Sequence, residues 1–177
     1  MLRKVCQLTL WAAILVASAP AEKIQFEVTT LGPNLFRYDY FISGGFVFQK
    51  NDEIDIRFDP NIYDILSNGV AGSDFNVALL QPNNPPGTDG DYSALALVDN
   101  AALNGPFSVE FALQGGRQPL LQPFFINQLD SNGKIISTLE TGSTAAVPEP
   151  SSLSFAFLGT LMISCLSSVR RRTSSGP

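Results

Sequence analysis

Histidine is absent from the 177 residues of the sequence. Without an imidazole, the chain cannot form a Ser-His-Asp triad, a Cys-His dyad or a histidine-based metal site. It has only two cysteines, Cys6 and Cys165, and each lies in an apolar segment near one end. The region between these segments therefore has no disulfide, and its stability must come from a hydrophobic core, which about 125 residues can supply.

Basic residues are scarce in the centre of the chain. From Glu22 to Ala146 the sequence has 6 basic and 15 acidic residues, a net charge of −9, whereas the whole chain carries −5. An acidic surface repels phosphate, so the composition argues against a nucleic-acid partner. Phosphate loops and serine-nucleophile motifs are also missing from the sequence, and we expect no cofactor.

Residues 1–21 have the pattern of a secretory signal peptide. Two basic residues precede an apolar run from Val5 to Val16, and small residues follow it. Ala19 and Ala21 match an A-x-A cleavage site, so we predict that signal peptidase cleaves after Ala21 and leaves Glu22 first. The alternative is an N-terminal anchor that is never cleaved, although the apolar run is short for a bilayer.

A second uncharged apolar segment covers residues 153–169. As a helix it would be roughly 25 Å long, slightly short for a bilayer core, which favours a single transmembrane helix for transient retention. Arg170, Arg171 and Arg172 follow directly, and the positive-inside rule predicts a cytoplasmic tail over residues 170–177. The preceding domain would then lie outside, in agreement with an export signal.

The segment between the acidic centre and this helix contains Val147-Pro148-Glu149-Pro150-Ser151. Prolines on both sides of Glu149 can neither continue a helix nor pair within an inner strand, so we expect an extended, accessible segment. Small and polar residues precede it, and we predict a linker over residues 142–152.

Pro-Glu-Pro, an apolar helix and an arginine cluster, in this order, resemble the PEP-CTERM sorting signal over about residues 147–172. The resemblance implies recognition by exosortase, a membrane-embedded cysteine transpeptidase that cleaves near the motif. It also implies delivery to the cell surface or the exopolysaccharide matrix. Pro148, Glu149 and Pro150 would be the recognised motif, and the arginines the stop-transfer cluster. The five-residue tail after Arg172 departs slightly from the family pattern, and the alternative is an ordinary anchor with a coincidental Pro-Glu-Pro.

From Ile24 onward, apolar and polar residues alternate with a period of two, which is typical of half-buried strands. The alternation is regular in the first four of the following segments and less regular in the last four: 24–29, 36–42, 54–59, 107–114, 75–80, 93–98, 122–129 and 134–141. About eight such strands predict an all-β fold, an antiparallel, jelly-roll-like β-sandwich over residues 22–141 between the two terminal segments.

Turn signals separate the predicted strands. Three Asn-Gly pairs suit turns with positive φ, and they are Asn68-Gly69, Asn104-Gly105 and Asn132-Gly133. The last pair belongs to Asp130–Gly133, which we predict to close a hairpin. The segment from Gln81 to Asp91 is rich in proline, asparagine and glycine and is predicted to be the longest loop. One helical turn is predicted over Asn61–Ser67.

Acidic residues raise the question of catalysis, because paired carboxylates can hydrolyse glycosides. The candidates form two groups, Asp52, Glu53 and Asp55, or Asp89 and Asp91. Charges on an alternating strand normally face water, so we interpret them as surface acidity and assign no catalytic residue.

The acidic residues could also bind calcium, which prefers oxygen ligands on flexible loops. Asp89 and Asp91 are the candidate ligands, but the full calcium-loop pattern is missing, and we assign no metal. Asp130–Gly133 resembles half a calcium loop without the distal glutamate, so a plain turn is the favoured interpretation.

Two classes of function remain. We favour a non-enzymatic, exported surface or matrix protein whose partners are signal peptidase, exosortase, the inner membrane during transit, and exopolysaccharide. The alternative is a carbohydrate-binding or glycoside-hydrolysing module. The tyrosines Tyr38, Tyr40, Tyr63 and Tyr92 could then form a sugar-stacking face. Core packing is favoured, because Tyr38 and Tyr40 lie on the apolar parity of their strand.

Overall fold

The computed structural model describes residues 24–43 and 45–147. The described residues form ten strands: β1 (Ile24–Gly32), β2 (Leu35–Ile42), β3 (Asp52–Phe58), β4 (Tyr63–Val70), β5 (Phe75–Leu80), β6 (Gly90–Ala96), β7 (Phe107–Leu113), β8 (Pro123–Leu129), β9 (Ile135–Ser143) and β10 (Ala145–Ala146). They build two five-stranded sheets, with the order β10-β1-β2-β7-β4 in the first sheet and β5-β6-β3-β8-β9 in the second. All neighbours are antiparallel except β1 and β10, which are parallel.

The predicted all-β class and the antiparallel β-sandwich are confirmed. Each of the eight predicted segments overlaps a strand of the structure. Where the alternation is regular, as in β3 and β7, the apolar side chains at every second residue are buried on one face. The jelly-roll-like description stays a prediction. The predicted signal peptide and the predicted transmembrane helix lie outside the described residues.

The core lies between the two sheets and is rich in aromatic rings. The ring of Tyr38 on β2 lies 4.3 Å from Phe111 on β7 and 4.9 Å from Phe26 on β1, measured between ring centroids. It also reaches Phe58 on the opposite sheet at 6.3 Å. Rings that pack edge-to-face or offset, as these do, stabilise a core beyond the area they bury.

The helical turn predicted over Asn61–Ser67 is wrong, because Tyr63–Val70 is strand β4. Its pairing with β7 shifts register between Tyr63 and Ile65 and again between Ser67 and Val70. A bulge adds one residue between two buried positions, so Tyr63 and Leu66 are buried three residues apart and imitate a helical period. Asn68 has the expected positive φ, of 47°, but it lies within β4 and not in a turn between strands.

The linker prediction is wrong for residues 142–146, which belong to β9, to β10 and to Thr144 between them. Small residues occur here because the chain packs closely, and not because it is free. A Cβ atom at Gly142 would lie 2.8 Å from ring atoms of Phe124. Thr144 is fully buried, and its amide donates to the carbonyl of Gln122 at 2.8 Å.

A buried polar network connects this C-terminal edge to the aromatic core. The hydroxyl of Thr144 donates to Oε1 of Gln122 at 3.0 Å, and Nε2 of Gln122 donates to the hydroxyl of Tyr63 at 2.9 Å. The hydroxyls of Tyr63 and Tyr38 lie 2.9 Å apart, and Tyr38 donates to the carbonyl of Leu120. Buried polar groups are tolerated when they are bonded in this way.

The turns agree only in part with their predictions. Asp130–Gly133 closes the predicted β8–β9 hairpin, with the amide of Gly133 bonded to the carbonyl of Asp130 and with Gly133 at a φ of 79°. Gly105 lacks a positive φ and instead passes Gly72, whose Cα lies 2.3 Å from the position that a Cβ of Gly105 would take.

The loop prediction also needs a correction. Strand β6 begins at Gly90, so Asp91 belongs to a strand, and the connection between β5 and β6 covers only residues 81–89. The connection from residue 97 to residue 106 is longer. Proline and asparagine content therefore indicated the position of the loop correctly but exaggerated its length.

Candidate functional site

The predicted processing residues lie outside the described residues. This holds for the signal-cleavage residues Ala19 and Ala21, for the motif Pro148, Glu149 and Pro150, and for the stop-transfer cluster Arg170, Arg171 and Arg172. Within the two described ranges, no helix is long and apolar enough to cross a membrane.

The described residues do define what precedes the Pro-Glu-Pro motif. β10 pairs in parallel with the first strand, with Gln25 opposite Ala145 and Phe26 opposite Ala146. Thr144 holds this edge through the Gln122 network. The first and last strands of the sandwich are thus direct neighbours, and the motif begins two residues after Ala146.

The predicted carboxylates are divided between the two faces of β3 and the neighbouring connection. Asp52 begins β3 on its inward parity, and its Oδ2 accepts from the amide of Gln49 at 2.7 Å. Glu53 and Asp55 point outward, as expected, and Glu53 accepts a hydrogen bond from the hydroxyl of Ser93 on β6. Asp89 is exposed.

Asp55 and Asp91 contradict the interpretation that these charges face water. They lie on the outer face of the second sheet, but they are only 2% and 6% exposed. Asp91 is the cross-strand partner of Arg57, and Asp55 is that of Ser93, so the two carboxyls are diagonal neighbours on β3 and β6. The structure brings together one residue from each of the two predicted carboxylate groups.

Arg57 is the cation of this cluster, and its Nη2 forms an ion pair with Oδ2 of Asp55. Partial burial lowers the pKa of the Arg57 guanidinium, but the hydrogen bond to Asp55 and the negative charges of Asp55, Asp91 and Asp89 together raise it above the ordinary value. Sequence reasoning missed Arg57 and Ser93 as members of the cluster. Their outward parity beside Glu53 and Asp55 was the signal that could have identified them.

Asp91 is the carboxyl whose ionisation is most disturbed. Burial raises its pKa to about 8, with further contributions from a hydrogen bond to Asp55 and from the negative charge of Asp55. The positive charge of Arg57 lowers the pKa of Asp91, but Arg57 is already ion-paired with Asp55. With a pKa of about 8, the Asp91 carboxyl is mostly neutral at pH 7.

A shallow depression of about 370 Å³ adjoins the acidic cluster. Asp55, Arg57 and Asp89 line one side, and Phe125 and Thr138 lie on the side of β8 and β9. A second depression, of about 520 Å³, lies on the other sheet beside Glu27, Asp39 and Phe41. Both are open and acidic, and neither encloses a small ligand.

The calcium candidates do not form a ligand cage. Asp91 is buried in β6 while Asp89 is exposed on the connection before it, and in residues 24–43 and 45–147 no group of three or more acidic or thiol side chains is arranged to hold a metal. At the β8–β9 hairpin, Oδ1 of Asp130 accepts the amides of Asn132 and Lys134 at 2.8 and 3.0 Å. These bonds lower the pKa of Asp130 and identify the segment as a turn.

The tyrosines are core residues and not a sugar-stacking face. Each of the four is at most 4% exposed, and they are Tyr38, Tyr40, Tyr63 and Tyr92. Burial raises the pKa values of Tyr38, Tyr40 and Tyr92 well above the ordinary value. The interpretation from strand parity is confirmed.

Comparisons with known proteins add little to this description. No protein-family model matches the chain, and no curated protein matches it. Among solved structures, a cohesin module from a family 33 glycoside hydrolase of Clostridium perfringens is similar, with a TM-score of 0.42 and 12% sequence identity. The alignment covers 71% of this chain and 97% of that module. Similarity at this level carries no conclusion about the function of the chain.

Proposed function

We propose that the chain is an exported, non-enzymatic protein of the cell surface or exopolysaccharide matrix, processed and sorted by exosortase. The observation that carries the proposal is the order of three features in the sequence. Pro148-Glu149-Pro150 comes first, the apolar segment 153–169 follows, and Arg170 to Arg172 come directly after it. The resemblance of this order to the PEP-CTERM signal accounts for the motif, which an ordinary anchor does not.

The position of the core is compatible with such processing. Every buried hydrophobic side chain that the structure describes lies between Ile24 and Leu129. Cleavage near Pro148–Pro150 would therefore remove no core residue, and the sandwich would be released intact. The export signal before Glu22 and the arginine cluster would give one topology, with the sandwich outside the cytoplasmic membrane.

Replacement of Pro148, Glu149 and Pro150 by alanine in the full chain tests the proposal. We expect the exported variant to keep its C-terminal segment and to stay in the membrane fraction, while the unaltered chain loses the segment. Immunoblots with one tag in an exposed loop of the sandwich and a second tag after Pro177 separate the two forms.

A matched control replaces Ser174 and Ser175 by alanine, which leaves the motif, the apolar segment and the arginines unchanged. We expect this control to mature like the unaltered chain. Normal maturation of the alanine-motif variant would refute sorting through Pro148–Pro150 and favour an ordinary C-terminal anchor.

The alternative function, a carbohydrate-binding or glycoside-hydrolysing module, has one favourable observation. The open depression beside Asp55 places a partly buried ring, Phe125, close to the guanidinium of Arg57. Hydrolysis is less compatible with the geometry, because Asp55 and Asp91 are buried neighbours and not carboxyls on opposite sides of a substrate cleft. Glycan-array binding that Phe125→Ala abolishes would support the binding form of this alternative.

For the fold we propose the jelly-roll-like designation. The chain passes from one sheet to the other at each step from β2 to β5, and again from β6 to β8. Such alternation between layers is the feature that distinguishes a jelly roll from two separately wound sheets.

A further inference from the structure

Two buried oxygen atoms in the acidic cluster lack the hydrogen-bond donor that such atoms normally have. Oδ1 of Asp55 and Oδ1 of Asp91 have no donor among the described protein groups. The two side chains are at least nine-tenths buried, so bulk water does not replace the donor. A buried acceptor without a partner is unfavourable, so two of them on diagonally neighbouring residues of β3 and β6 require an explanation.

The surrounding charges cannot neutralise both carboxyls as anions. Arg57 carries the positive charge of the cluster; its Nη2 is bonded to Oδ2 of Asp55, while its Nε is buried without a partner among the described residues. Glu53 on the same strand and Asp89 on the preceding connection add negative charge. The residues that face the pair from the flanking strands are uncharged: they are Phe125 and Asn127 on β8, and Leu80, which is the β5 partner of Asp91.

One proton would satisfy both orphan oxygens at once, as donor from one carboxyl to the other. We propose that Asp55 and Asp91 share a single proton and that this proton-binding site makes the pairing of β3 with β6 dependent on pH. The inference does not rest on the proposed sorting function, and its test is read out on the purified protein.

The direction of the pH effect follows from the raised pKa of Asp91, about 8 in the folded protein against an ordinary value of 3.8. The folded state keeps the proton between these two pKa values, whereas the unfolded state has released it. The stabilisation is therefore complete at a pH below about 4 and is lost as the pH rises through about 8. For one proton, the unfolding equilibrium constant rises about tenfold per pH unit in this window.

The direct measurement is a pH titration of the aspartate carboxyl ¹³C resonances in the full-length chain in detergent micelles. We expect the Asp91 resonance to titrate near pH 8. The titration midpoint of Asp91 should shift to a lower pH in the Asp55→Asn variant, because the anionic neighbour is gone and Arg57 is free to pair with Asp91. Titration of Asp91 below about pH 5 in the unaltered chain would overturn the proposal, and this measurement does not depend on whether a variant folds.

Asp91→Asn is the second test, because its amide can donate to Oδ1 of Asp55 and imitates the neutral carboxyl. Between about pH 6 and 8, we expect the slope of the logarithm of the unfolding constant against pH to be lower by about one for this variant than for the unaltered chain. The matched control is Asp64→Asn on the exposed face of β4, which should keep the original slope. Equal slopes in all three proteins would overturn the proposal.

Discussion

Gln122 is a residue on which several buried polar contacts converge. Its side chain bonds to the hydroxyls of Thr144 and Tyr63 and to the carbonyl of Leu120, and its backbone amide donates to the Thr144 hydroxyl at 2.9 Å. The sequence offers no warning of this role, because the strand predicted over residues 122–129 does not indicate which distant side chains lie beside its first residue. Only the packing of two sheets around it turns its amide into the centre of a network.

Gln122→Ala should destabilise the sandwich by roughly 2–3 kcal/mol, because it leaves the Thr144 and Tyr63 hydroxyls buried with fewer partners. Urea unfolding followed by far-UV circular dichroism measures the change. Gln49→Ala, at an exposed position before β3, is the control and should lie within about 0.5 kcal/mol of the unaltered chain. A loss for Gln122→Ala no larger than for the control would mean that the network contributes nothing to stability.

Asp55 and Asp91 illustrate what sequence could and could not predict about the candidate site. The outward direction of Asp55 followed from strand alternation and is correct, whereas Asp91 was assigned to a loop and lies on β6. Their burial did not follow, because it depends on which strands become neighbours: β3 and β6 are adjacent only in the folded sheet. Arg57 and Ser93 became part of the cluster for the same reason.

At the scale of elements, regular alternation predicted strands well, but a bulge interrupts the alternation and hides the strand. β5 was predicted at its observed bounds, Phe75–Leu80, whereas β4 was mistaken for a helical turn because a bulge spaces its buried residues Tyr63 and Leu66 three apart. β10 was missed because two small residues carry no period at all. Its place beside β1 is fixed by Thr144, three-dimensional information that no local pattern contains.

Gly105→Ala tests the closest approach between two connecting segments. A Cβ atom at Gly105 would lie 2.3 Å from the Cα of Gly72, so one of the two backbones has to move. We expect a loss of stability of roughly 1–3 kcal/mol, the usual cost of overpacking, measured as a lower midpoint of urea unfolding.

Gly32→Ala is the matched control, since nothing lies within 4 Å of the Cβ that it would add at the end of β1. Its midpoint should equal or slightly exceed that of the unaltered chain, because alanine restricts the unfolded state. Equal effects of the two substitutions would mean that the approach of Gly72 and Gly105 is not tightly packed in solution.

At the scale of the whole molecule, the sandwich and the two end segments follow different physical rules. The sandwich could be predicted as a class from alternation and turn residues, but not its strand order, which arises from pairings between distant segments such as β3 with β8. The end segments were interpreted from hydropathy, charge and short motifs, which act through a membrane and processing enzymes. Their predictions therefore need a measurement on the exported protein.

Mass spectrometry of the mature protein measures both ends in one experiment. We expect the chain to begin at Glu22, because small residues at Ala19 and Ala21 suit signal peptidase. This start would leave two residues before Ile24, which is fully buried in β1, so cleavage should precede the docking of that strand. We expect the C-terminus to lie upstream of Arg170, after loss of the apolar segment. A mature chain that starts at Met1 would contradict cleaved export, and one that still ends at Pro177 would contradict exosortase processing while leaving export intact.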